Sequence, residues 1–295
     1  MKLLVIGHSV EDHFNQDGKD VVKPGGIFYT MLALQKFKTE DDSVFLNTSV
    51  SKKNYKLFAG LYDNIPQDYF NYIEKIPAVY LFLHNFKERG ETYESISKKL
   101  EIKTNNLKHF DGILINMITG FDIDLEQLKE IRQNYKGKIF FDVHTFSRGL
   151  DENLKRKFRP IPDFYEWAAA LDIIQVNENE IFTISKKETE LEIARDILSK
   201  GVKSLIVTKG EKGARIYSMK MGEVFSIFKS AVKINAVNKI GCGDVFGAVF
   251  FYNYIKTGDV EISLEIANIA AGCSATYNEF ENYDLLRQDV FTRYN

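Results

Sequence analysis

Apolar positions in this 295-residue chain come in short runs of β-branched and aromatic residues, separated by longer stretches with helical spacing. The runs predict strands over Leu3–Gly7, Val44–Val50, Val79–Asn85, Gly112–Met117, Lys138–Val143, Asp172–Val176 and Ser204–Thr208. The stretches between them predict helices over Ile27–Phe37, Asn54–Tyr62, Asp124–Tyr135, Asp163–Leu171, Thr189–Lys200, Val245–Lys256 and Ile262–Tyr277. Gly201 and Gly258 stand where a left-handed residue is expected to end a helix. Strand and helix alternating in this way make βα units and a largely parallel sheet. The stretch Val245–Lys256 is apolar nearly all round, so it belongs in the centre of the molecule.

Two segments break the rhythm. His13–Lys23 carries Gln16-Asp17-Gly18-Lys19, a hairpin turn with Asp-Gly at its tip. Val79–Asn85 and Thr92–Ile96 form a second β pair across Lys87-Glu88-Arg89-Gly90. With no repeat, low-complexity tract or proline-rich linker, the whole of 1–295 reads as a single domain, with these insertions near 13–23 and 80–97.

Composition narrows the partners. The formal net charge is −2, from 39 basic and 41 acidic residues, which recommends neither nucleic acid nor an acidic membrane. No apolar run approaches the ~20 residues of a membrane span, and the amino-terminal run is too short for a signal peptide. Two cysteines, Cys242 and Cys273, in a chain that needs no stapling indicate a reducing, cytoplasmic setting.

The densest chemical signal is Asn238-Lys239-Ile240-Gly241-Cys242-Gly243-Asp244, leading straight into the apolar helix. A helix start offers unpaired N–H groups and the positive end of the helix dipole, and glycine lets that backbone approach an anion closely. A carboxylate beside such a nest repels a phosphate. It makes sense there as the acceptor of a proton from a hydroxyl that attacks phosphorus. Read without context, Asp244 is equally a helix cap. Cys242 is either a small residue in a small space or, at a helix start, a thiol of lowered pKa.

Further signals lie in chain order. Asp12 follows Gly7 by five positions, and Pro24-Gly25-Gly26 precedes the helix that holds Thr30. Asp142-Val143-His144-Thr145-Phe146-Ser147-Arg148 leaves the carboxyl end of a strand, where α/β folds place ligands. Asn177-Glu178-Asn179-Glu180 has the spacing of a capping box. Thr208-Lys209-Gly210-Glu211-Lys212-Gly213-Ala214 is a glycine-rich turn, and Ala267-Asn268-Ile269-Ala270-Ala271-Gly272 a small-residue helix. The five histidines show no metal-ligand spacing, and no Walker motif or G-x-G-x-x-G follows the first strand.

This ordered set resembles the PfkB (ribokinase-like) family of sugar and nucleoside kinases, whose D-T-T-G-A-G-D motif appears here as N-K-I-G-C-G-D. The matches span residues 7 to 274. The resemblance implies a three-layer α/β/α sandwich with a mostly parallel central sheet, and makes the two insertions a small β lid. It implies ATP as phosphoryl donor and Mg²⁺ as cofactor, with Asn177 and Glu180 organising the metal through water. It makes Asp244 the catalytic base and Gly241, Cys242 and Gly243 the anion hole. Asp12, Gly25, Gly26 and Thr30 then bind a small hydroxylated substrate, and Thr208, Gly210, Gly213 and Asn268 border the nucleotide. Asn238 in place of the family aspartate, with Lys239 beside it, argues against activation by a monovalent cation. The expected activity is phosphorylation of a sugar, polyol or nucleoside hydroxyl. The alternatives are a nucleoside-specific kinase, favoured by Phe28-Tyr29, and a non-catalytic ligand-binding member of the fold. An exposed lid edge also allows homodimer pairing through strands.

Overall fold

The computed structural model describes residues 1–16, 19–82, 90–95, 98–150 and 156–294. In chain order the elements are β1 (Lys2–Ile6), β2 (Ser9–Gln16), β3 (Lys19–Gly26), α1 (Phe28–Phe37), β4 (Ser43–Ser51), α2 (Ala59–Tyr62), β5 (Phe70–Ile73), β6 (Ala78–Phe82) and β7 (Gly90–Glu94). There follow β8 (Gly112–Asn116), α3 (Leu125–Asn134), β9 (Lys138–Asp142), β10 (Arg148–Leu150), β11 (Arg156–Phe158), α4 (Phe164–Ala169), β12 (Ile173–Asn177) and α5 (Glu190–Leu198). The last are β13 (Ser204–Thr208), β14 (Gly213–Lys220), β15 (Glu223–Ser230), α6 (Cys242–Thr257), α7 (Val260–Ala275) and α8 (Leu286–Tyr294).

Nine strands form the central sheet in the order β15-β14-β13-β12-β9-β8-β1-β4-β5. From β13 to β5 every neighbouring pair is parallel, while β14 and β15 fold back antiparallel at one edge. Side chains alternate along a strand, so each β run feeds two cores. Leu3, Val5, Leu114, Phe140 and Ile173 pack on the face that carries α1, α6, α7 and α8. Leu4, Ile6, Ile113, Ile139, Phe141 and Ile174 pack on the other, against α3, α4 and α5. The result is three layers with helices on both faces, as parallel sheets require. Val245 to Phe251 of α6 are buried, and the helix ends on Gly258 at φ 72°. Thr189 and Glu192 cap α5 reciprocally, and Gly201 sits at φ 106° beyond its end.

A second sheet of four strands, β3-β2-β6-β7, is built from the two segments that interrupt the βα rhythm. The tip Asp17-Gly18 and residues 83–89, 96 and 97 lie outside the described residues, so the turns expected there go untested. The helix expected over Asn54–Tyr62 is instead a 3₁₀ turn, Tyr55–Leu57, and the single-turn α2. The strands β14 and β15 and the helix α8 had no counterpart in the sequence reading. Among the described residues no helix is long and apolar enough to cross a membrane.

Candidate active site

Three adjacent strands deliver polar side chains to one place. Asn116 at the end of β8 pairs with Asp142 at the end of β9, and Asp142 pairs with Gln175 in β12. Residues in register point to the same face, so the three side chains form a row. Two positions earlier that face carries Leu114, Phe140 and Ile173, all packed in the core that holds α6. The apolar row seats the body of α6, and the polar row meets its first turn.

The contacts are specific. Asn116 Nδ2 donates to Asp244 Oδ1 at 2.7 Å and to Thr30 Oγ1 at 3.3 Å. Gln175 Nε2 donates to Asp142 Oδ2 at 2.9 Å and to the Gly243 carbonyl at 3.1 Å. Asn116, Asp142, Gln175 and Asp244 are all buried. Burial, then the nearby charges of Glu180 and Asp244, push Asp142 well above the usual carboxylate range. Three carboxylates therefore converge on this end of the sheet.

The turn before α6 owes its shape to glycine. Gly241 occupies the N-cap at φ 77°, and a Cβ there would lie 3.0 Å from Tyr29 Cβ and run into its ring. Val245 is the first residue of the helix to bond back, to the Gly241 carbonyl at 2.9 Å. The amides of Cys242, Gly243 and Asp244 precede that bond, as the first-turn N–H groups of any helix do. Among the described residues, apart from its chain neighbours and the helix's own backbone, no atom lies within 4 Å of a Cβ built on Gly243, so space opens beside this turn. Asn238 spends its side-chain oxygen on the amide of Ile240, at 3.0 Å. The reactive-thiol reading of Cys242 is corrected: burial raises its pKa, and its sulfur contacts the Asn238 carbonyl and the Ser274 hydroxyl, each at 3.7 Å.

On the lid side, Asp12 lies opposite Lys23 in the β2–β3 ladder. Its carboxylate rests over Gly25 so closely that a Cβ there would collide with it. Gly26 adopts φ 62°, and a Cβ would sit 2.5 Å from the His8 carbonyl. Gly25 and Gly26 thus end β3, and the chain turns at Ile27 into α1, where Thr30 is buried against Asn116. Between the lid and the Gly241 turn lies a cavity of about 260 Å³, walled by Phe14, Tyr29, Tyr277, Phe280 and Tyr283, with Lys23 at its margin.

At the other side, Glu180 accepts from the backbone and the side-chain amide of Asn177, at 2.9 and 2.7 Å, and the Asn177 side chain accepts from the amide of Glu180 at 2.9 Å. The pair is a reciprocal box around a short 3₁₀ turn, Glu180–Thr183. Thr208 ends β13 beside it and bonds the Val176 carbonyl at 3.4 Å. Gly210, at φ 54°, has open space where a side chain would stand. Gly213 and Asn268 both meet β15 at one carbonyl. A Cβ on Gly213 would collide with the Lys229 carbonyl, which also accepts from Asn268 Nδ2 at 2.8 Å. Arg148 stacks on Phe158, 4.6 Å from its ring centre. Asn116 and Gln175 escaped the sequence reading. Their signal is a polar residue interrupting each apolar strand run, in Gly112–Asn116 and Ile173–Asn177.

Comparison with known proteins agrees with this geometry. Residues 141–282 match the model of the pfkB family of carbohydrate kinases. A deoxyribokinase of Salmonella typhi is 29% identical over 162 residues, 52% of this chain and 52% of that protein. The match thus spans about half the length of that curated relative. The fold extends further than the sequence match. A ribokinase from Thermotoga maritima superposes over 98% of both chains with TM-score 0.77 and 20% identity. The Arabidopsis thaliana ribokinase, solved with ribose and ATP, superposes over 98% of both with TM-score 0.77 and 17% identity. With its three-layer sheet, its inserted β strands and the Gly241–Asp244 turn at the head of a buried helix, the chain has the ribokinase-like fold, and a little under half of it is similar to the pfkB family of carbohydrate kinases.

Proposed function

We propose that this chain transfers the γ-phosphoryl group of ATP to a hydroxyl of a small sugar, polyol or nucleoside. The observation that carries the reading is Asp244, a buried carboxylate in the first turn of α6 beside an open, glycine-shaped nest of amides. An alcohol held under the lid can lose its proton to Asp244 as it attacks phosphorus. The amides of Gly241, Cys242 and Gly243 would stabilise charge gathering on the transferred oxygens. Asp12, Gly25, Gly26 and Thr30 would hold the acceptor, since Thr30 and Asp244 are joined through one asparagine.

The donor side follows the same logic. Thr208, Gly210, Gly213 and Asn268 would border the nucleotide, with Gly213 and Asn268 meeting at the Lys229 carbonyl of β15. Among the described residues no three acidic, histidine or cysteine side chains are grouped so as to hold a metal directly, so a cation here would be held largely through water. Mg²⁺, when bound with ATP, neutralises phosphate charge, and Asn177 with Glu180 would orient it through water. Strands β2 and β3, lying over the acceptor, would exclude bulk water, the competing nucleophile.

The cavity favours a second, narrower reading, in which the acceptor is a nucleoside. Five aromatic side chains around about 260 Å³ offer planar faces to a base, which an unsubstituted polyol cannot use. ATP turnover against a panel of pentoses, hexoses, inositols and nucleosides separates the two. Asp244→Asn should lower turnover by about 10²–10⁴ with ATP binding retained. A near-normal rate in that variant removes the base. Binding of a panel member without ADP release points to the non-catalytic alternative.

A further inference from the structure

We infer that Lys23 is a specificity-determining residue, and that the acceptor carries an oxyanion, a carboxylate or a phosphate, besides the hydroxyl that is phosphorylated. The inference rests on the reading of the chain as a kinase and narrows the acceptor class. Register places the lysine. In the β2–β3 ladder Val10 lies opposite Gly25, Asp12 opposite Lys23 and Phe14 opposite Val21. Residues opposite one another share a face of the sheet, as do residues two positions apart. Three members of this row, Phe14, Val21 and Lys23, line the cavity of about 260 Å³ beside the Gly241 turn. Lys23 is therefore the one basic residue on the inner face of this hairpin, and it is half-buried there.

Opposite charges that face each other across a ladder ordinarily attract. Here the Asp12 carboxylate is drawn over Gly25, and the Lys23 ammonium makes no hydrogen bond or ion pair among the described residues. The other charged residue of the cavity wall is Glu279, and its carboxylate accepts from the backbone amide of Asn282 as the cap of the turn Phe280–Leu285. A half-buried cation without a counter-charge is unfavourable. A third apolar side chain would complete the wall that Phe14 and Val21 begin, with no such cost. An oxyanion on the acceptor matches the ammonium while the aromatic walls take the acceptor's apolar faces. A neutral polyol or nucleoside fills the same space and leaves the ammonium unmatched.

The test compares ligands that differ in the anion: glucose with glucuronate and glucose 6-phosphate, ribose with its 1- and 5-phosphates, and adenosine with AMP. Calorimetry measures the binding of each to the full chain, and ADP release with ATP is followed alongside. The expected result is an anionic member bound about 10- to 100-fold more tightly than its neutral counterpart, the worth of a hydrogen bond to a charged group. The glucuronate and phosphate arms tell which oxyanion is read. Lys23→Met keeps the stem and removes the charge, and should erase the preference, whereas Lys23→Arg should retain one. Lys23→Gln takes the place of the methionine variant if that one does not fold. Neutral members bound as tightly as anionic ones, or a preference that survives loss of the lysine charge, overturns the proposal. An equal loss of affinity for ATP in Lys23→Met also overturns it, because the lysine then serves the donor phosphates. ADP release on neutral members alone overturns the proposal and leaves the kinase reading intact. Anion-selective binding that depends on Lys23, with no ADP release from any member, overturns the kinase reading and leaves the anion site standing.

Discussion

Gly241 and Gly243, two residues apart, should respond to alanine with opposite signs. At Gly243 the backbone is helical and, among the described residues beyond the helix's own backbone, nothing lies within 4 Å of the new methyl, so packing does not resist it. Alanine improves on glycine in a helix by about 0.5–1 kcal/mol, and Gly243→Ala should raise stability by that order. At Gly241 the φ of 77° costs an L residue roughly 1–2 kcal/mol, and the methyl would run into the Tyr29 ring. Overpacking adds about 1–3 kcal/mol, so Gly241→Ala should destabilise by ~2–5 kcal/mol. Activity should separate from stability. If the open space beside Gly243 receives the transferred phosphoryl group, the methyl displaces it from its amides. Loss of one such donor costs about 10²–10³ in turnover. The assay pairs thermal unfolding of both variants with ADP release on whichever panel member the wild type phosphorylates. A Gly243→Ala protein that is stable and fully active would refute the reasoning, because the nest would then not be where phosphorus reacts.

Gly25→Ala drives a methyl into the Asp12 carboxylate, so it should raise the KM for acceptor at least tenfold with ATP binding unchanged; equal losses for both ligands would place Asp12 outside the acceptor site. Cys242 should alkylate more slowly than a free thiol at neutral pH, since burial raises its pKa, and mass spectrometry after timed labelling checks this. Burial opposes ionisation of Asp42, but bonds from Lys256, Thr39, Tyr252 and the amino terminus outweigh it and hold its pKa below the ordinary value. A depressed carboxylate contributes stability that is complete above its unfolded pKa of about 3.9 and is lost as pH falls towards the folded one. Asp42→Asn should therefore lower unfolding free energy at pH 7 and narrow the gap to wild type below pH 4; a gap that is constant with pH would contradict the sign.

The core strands were legible because a parallel strand buried on both faces is a continuous apolar run, as at Gly112–Asn116 and Lys138–Asp142. The edge hairpin β14–β15 was not, because its outer strand carries its apolar residues in the pairs Val224-Phe225 and Ile227-Phe228, neither a continuous run nor a strict alternation. The tight turn at Gly241–Asp244 was legible for a local reason: glycine, small residue, glycine and acid before an apolar helix have few uses, and all act within one turn of backbone. The same locality explains why the Asn177–Glu180 box could be read from its spacing.

The seat of that turn is another matter. Asn116, Asp142 and Gln175 lie far apart along the chain, and each alone is one polar residue ending or interrupting an apolar run. Their meeting follows from β8, β9 and β12 lying side by side in a register that sets the three on one face, beneath the start of α6. Gly213 and Asn268, far apart in sequence, likewise meet only in the fold, at the Lys229 carbonyl of the edge strand. Backbone conformation is written in neighbouring residues, so the nest could be found by reading along the chain. Which side chain reaches a carboxylate is decided by strand order and register, long-range pairings that no local spacing encodes.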